Sequence, residues 1–87
     1  MEQPAFPLYR RSANGLNWYR IESPTVFTEI QQVGSRLVVH RIVAVIYPEK
    51  ARILGLIKMD DGHAMPCTAE EVGSQLRKAE QFPISGR

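Results

Sequence analysis

Two arginines beside two large rings are the first residues in this chain whose types and spacing point to a contact chemistry. The dipeptide Asn14-Gly15 lies between the runs 8–11 and 16–21. Asn-Gly is a strong hairpin signal, because a type I′ turn needs positive φ at both central positions. Pairing outward from it sets Ala13 opposite Leu16, Arg11 opposite Trp18 and Tyr9 opposite Arg20. One face of the hairpin then carries Tyr9, Arg11, Trp18 and Arg20, and the other carries Leu8, Tyr19 and Ile21 with Arg10. Side chains alternate between the faces of a strand, so a register shift of one residue would scramble this set.

Three chemistries fit such a face. Rings beside guanidiniums can serve single-stranded nucleic acid, with bases stacking at about 1–3 kcal/mol each and arginines taking the phosphates. The same residues can form the ring-filled centre and arginine rim of a protein interface. They can also be plain cross-strand cation–π pairs on a solvated surface.

Other reactive side chains are sparser. Glu29 and His40 become cross-strand neighbours if residues 25–33 and 36 onward form a second hairpin, and a carboxylate beside an imidazole is an acid–base pair. No nucleophile accompanies them. Asp60, Asp61, His63 and Cys67 cluster within eight residues, but a structural zinc site wants four ligands at a spacing this segment lacks. Cys67 precedes a helix start, where a thiol pKa can fall. No paired cysteine motif and no glycine-rich phosphate loop occurs. These residues assign no catalytic group, no metal site and no cofactor.

The elements that position these residues are those of one small domain. The chain has 87 residues, 44% of them hydrophobic, and a formal net charge of +2. It is too short for two domains, and its core is thin, since a small domain buries only about 60% of the surface its unfolded chain exposes. Its single cysteine permits no internal disulfide, which fits a reducing, cytoplasmic setting. The start Met1-Glu2-Gln3-Pro4 lacks the basic and apolar runs of a signal peptide. The longest apolar run, 42–47, is far below the roughly 20 residues of a membrane span, so no membrane partner is expected. Residues 1–5 and 82–87 read as flexible ends. The first half is the basic half, with Arg10, Arg11, Arg20, Arg36 and Arg41 against Glu22 and Glu29 between residues 4 and 41.

Residues 25–33 fit a strand, turned back at Gly34-Ser35 into another strand; a II′ turn suits Gly-Ser. The alternative is a short helix over 24–33, with Ser23 as N-cap and Pro24 in its first turn. Residues 36–47 read as a strand, and the unbroken run 42–46 places it in the middle of the sheet, covered on both faces. If it lies at an edge instead, it can pair with a second copy. Pro48-Glu49-Lys50 then reads as a turn and 51–59 as another strand, with Gly55 as a bulge. The last element is a helix. Thr68 and Glu71 have capping-box spacing, Ala69, Val72, Leu76 and Ala79 form its apolar stripe, and Gly73 implies close packing.

The expected fold is therefore α+β: an antiparallel β-meander of four to five strands with a C-terminal helix packed on one face. The expected function is a small intracellular, non-enzymatic binding domain. Its contact patch is Tyr9, Arg11, Trp18 and Arg20, and its partner is another protein or a second copy. The alternative is weak, sequence-tolerant binding of single-stranded nucleic acid on the same face, which a steep salt dependence would mark.

Overall fold

A computed structural model describes residues 5–59 and 62–81. Apart from Ala5, the ends expected to be flexible, 1–5 and 82–87, lie outside the described residues, as do Asp60 and Asp61. Five antiparallel strands form one sheet in the order β4-β3-β2-β1-β5. They are β1 (Leu8–Ser12), β2 (Asn17–Ser23), β3 (Val26–Val33), β4 (Arg36–Val43) and β5 (Ala64–Pro66). Two helices, α1 (Tyr47–Lys58) and α2 (Ala69–Gln81), complete the α+β fold. Neither is long and apolar enough to cross a membrane.

The first hairpin keeps the expected register, Arg11 opposite Trp18 and Tyr9 opposite Arg20. Its turn differs. Of the two central residues only Gly15 has positive φ, at 77°, so this is not a type I′ turn. The Gly15 amide donates to the Ser12 carbonyl at 3.0 Å. Ser12 Oγ donates to Asn14 Oδ1 at 2.6 Å and accepts from the Asn17 amide at 3.0 Å. The wider loop over 13–16 is closed by side-chain hydrogen bonds and joins the strands at the same offset, so the register survives the change of turn.

Residues 26–33 are a strand, and the alternative helix over 24–33 does not form. Ser23 Oγ accepts from the Thr25 amide at 3.2 Å, so the hydroxyl serves the β2–β3 turn rather than a helix cap. The β-branched residues Thr25, Val26 and Thr28 favour this outcome. Gly34 has φ 63°, as the first central position of a II′ turn requires.

The second helix is instead at 47–58, which corrects both the strand read at 51–59 and the turn read at 48–50. Pro48 stands in its first turn, where its missing amide hydrogen costs nothing. Glu49 Oε1 accepts from the amides of Val45 and Ile46 at 3.0 and 3.4 Å, and Lys58 stands in the last turn. These are helix signals. The apolar density of 53–57 hides a helical period in which Ile53 and Leu56, one turn apart, are the buried pair. Gly55 is thus a helical residue and not a bulge. β4 stops at Val43 rather than 47, and it is an edge strand and not a central one.

Each helix covers one face of the sheet. On one side, Tyr19, Ile21 and Phe27 pack with Ala44, Ile53, Leu56 and Ala64. On the other, Trp18 and Ile30 pack with Val72, joined by half-buried Tyr9, Leu37, Cys67 and Leu76. Adjacent residues of β2 and β3 are therefore both buried, as in Trp18-Tyr19. Thr68 Oγ1 accepts from the Glu71 amide at 3.0 Å, the expected cap of α2. Glu71 does not reach back, because its carboxylate is held by the sheet. Gly73 is not a close-packing site either, since a Cβ there would meet only the Arg77 guanidinium, at 3.5 Å.

Candidate functional site

The register of β1 and β2 brings Tyr9, Arg11, Trp18 and Arg20 to one face of the sheet, and that is the face on which α2 docks. Trp18 is only 8% exposed. Its Nε1–H donates to Glu71 Oε2 at 3.0 Å, which satisfies the one polar atom of a buried indole. Arg11 Nη1 lies 3.4 Å from the same carboxylate oxygen, an exposed pair of small energetic weight. Tyr9 is half-buried beside the Trp18 cluster, and Arg20 is exposed. Arg11, Ser12, Asn14, Trp18, Met65 and Glu71 line a cleft of about 280 Å³ beside the first hairpin turn. A base cannot stack on the Trp18 ring while α2 lies over it. The two arginines and part of Tyr9 remain to the surface.

Glu29 and His40 are cross-strand partners, as the second hairpin requires, yet they do not work on each other. Glu29 is buried, with Oε2 accepting from Asn17 Nδ2 at 2.7 Å and Oε1 from Arg52 Nη2 at 3.2 Å. His40 is exposed, with Nε2 3.3 Å from Gln31 Oε1. The Tyr19 hydroxyl joins the Glu29–Arg52 group. Burial, and after it the Glu29 charge, pushes the Tyr19 pKa above its usual value. Arg52 also lies over the Phe27 ring, 5.2 Å from its centroid. These contacts tie α1 to the sheet.

Cys67 is half-buried, and burial followed by the Glu71 charge raises its thiol pKa. That is the reverse of an activated thiol. Among the described residues, no three His, Cys, Asp or Glu side chains group as metal ligands.

Two features escaped the sequence reading. Arg10 is buried on the α1 side of the sheet, where its Nε donates to the Leu56 carbonyl at 3.0 Å and its Nη2 to the Ile57 carbonyl at 3.3 Å. It caps the C-terminal end of α1 with a positive charge. The pairing did assign Arg10 to the core-facing side, and that was the available signal. The second feature is an apolar strip. Val43, Val45, Ile46 and Tyr47 are 54%, 73%, 59% and 80% exposed. Tyr47 continues it onto the outer side of α1, where Tyr47, Lys50, Ala51, Leu54, Gly55 and Lys58 line a shallow groove of about 440 Å³.

Comparison with protein-family models, curated proteins and solved structures finds no match.

Proposed function

We propose that this protein is a non-enzymatic interaction module. Its contact surface is the apolar strip from Val43 to Tyr47 with the adjoining groove on α1. One observation carries this reading: four large apolar residues within five positions of the chain are each more than half exposed. Single exposed apolar residues are ordinary, whereas a contiguous group on a small domain marks a docking surface. Lys50 and Lys58 border the groove, so its anatomy is an apolar centre with a polar rim. Arg11 and Arg20 can contribute a second, polar contact on the α2 side. The single cysteine fits a cytoplasmic setting.

The test places a photo-reactive benzophenone side chain at position 47 and, as a control, at the exposed position 78, in the cells that make the protein. Discrete adducts at 47 that are absent at 78 and lost with Ile46→Ser support the reading. Equal labelling at both positions, or adducts insensitive to Ile46→Ser, overturns it.

A further inference from the structure

The two edges of the sheet are built differently. β5 has three residues and ends in Pro66, which has no amide hydrogen to offer. β4 has eight residues, contains no proline and pairs with β3 without a shift from Val26↔Val43 to Val33↔Arg36. Short length and proline protect an edge, and β4 has neither.

The register shows which backbone groups β4 leaves free. Val33 and Arg36 flank a two-residue turn and so form a hydrogen-bonded pair, after which bonded and non-bonded pairs alternate. Arg36, Val38, His40 and Ile42 therefore turn their backbone toward β3, and the Ala44 amide, donating to the Thr25 carbonyl at 2.7 Å, continues the series. Leu37, Val39, Arg41 and Val43 turn theirs outward.

We infer that the occupant of this edge is a second copy of the chain, paired antiparallel through β4 about a two-fold axis at His40. This rests on the interaction-module reading and names its partner. A two-fold axis normal to the sheet must set like faces opposite each other. Centring on His40 pairs Leu37 with Val43 and Val39 with Arg41 of the other copy, so all four outward-facing residues exchange hydrogen bonds. On the α1 face it sets Val38 against Ile42 of the other copy. Centring on Val39 leaves Val43 unmatched, and centring on Arg41 sets two guanidiniums directly opposite. At the His40 centre each Arg41 faces a valine and keeps its own Glu22 at 3.2 Å. The segment after β4 then runs past the other copy's Gly34-Ser35 turn. Val33, Val39, Val43, Val45, Ile46 and Tyr47, six of the eight exposed large hydrophobics among the described residues, thus lie at or beside the seam.

Sedimentation equilibrium of the purified protein, up to near-millimolar concentration, tests this directly. The expected mass is about twice 9.9 kDa. Val39→Lys, an exposed change that sets a lysine opposite Arg41, is expected to give a folded monomer with unchanged far-ultraviolet circular dichroism, whose melting temperature no longer depends on protein concentration. The register is tested in a Cys67→Ser background. His40→Cys should form an intermolecular disulfide on mild oxidation, because a non-bonded antiparallel pair has Cα atoms about 4.5 Å apart. Val38→Cys should not, because the two copies of residue 38 lie about 13 Å apart. A monomer at every concentration overturns the proposal, as does a dimer that survives Val39→Lys or that crosslinks at residue 38 in preference to residue 40. A monomer that still gives the Ile46-dependent adducts at position 47 removes the second copy while leaving the interaction module standing.

Discussion

Trp18 and Glu71 stand 53 residues apart and meet at 3.0 Å, indole N–H to carboxylate. The bond joins β2, the central strand of the sheet, to the first turn of α2. It converts the aromatic–arginine face from an open platform into the floor under a helix. Glu71, whose amide is capped by the Thr68 hydroxyl, therefore also anchors α2 through its side chain.

Trp18 is expected to behave as a core residue. Trp18→Ala should cost about 3–5 kcal/mol in urea unfolding, a large share of the stability of a small domain. Trp18→Phe keeps a ring and removes the indole donor to Glu71, which retains Arg11, costing about 0.5–1.5 kcal/mol. Emission of the folded protein should be blue-shifted and unchanged by oligo-dT at about 50 or about 200 mM salt. Salt-sensitive quenching would show that α2 opens and would restore the nucleic-acid reading.

Arg10 is expected to hold α1 to the sheet. Arg10→Met keeps an apolar stem and removes the donors to Leu56 and Ile57. The loss should be about 2–3 kcal/mol, the scale for hydrogen bonds from a charged group with buried acceptors. Arg10→Lys should recover less than half, since an ammonium cannot reproduce the fork. Hydrogen exchange should show the loss first in α1, with the β1–β2 amides still protected.

Tyr19 gives the protein an alkaline limit. Its pKa is raised in the fold above the ordinary 10.0, by burial first and the Glu29 charge second. Below pH 10 the phenol is protonated in both folded and unfolded chains, and the stabilising contribution is fully present. Above it the unfolded chain loses its proton first, so that contribution is lost as pH rises through the folded pKa. The melting temperature should fall above pH 10, and Tyr19→Phe should flatten the fall. An equally steep fall in Tyr19→Phe would remove Tyr19 as the cause.

Local chemistry determines much of this protein without reference to any long-range contact. Gly34 can take the positive φ its turn needs, the alternation of side chains assigned the faces of β1 and β2, and Thr68 marks the start of α2. Each depends on residues within a few positions of one another. The tertiary structure decided the rest. The run 42–46 reads as a central strand, because continuous apolar sequence usually means burial on both faces; the order of strands instead put β4 at the edge, and order is set by pairings far apart in the chain. The segment 47–58 is apolar enough for either period, and docking Ile53 and Leu56 onto Tyr19, Ile21 and Phe27 selected the helix. Alternation sets Tyr9, Arg11, Trp18 and Arg20 on one face, but which face α2 covers depends on where the long-range apolar clusters form. A face can be read from alternation, whereas its exposure depends on what the whole fold lays across it.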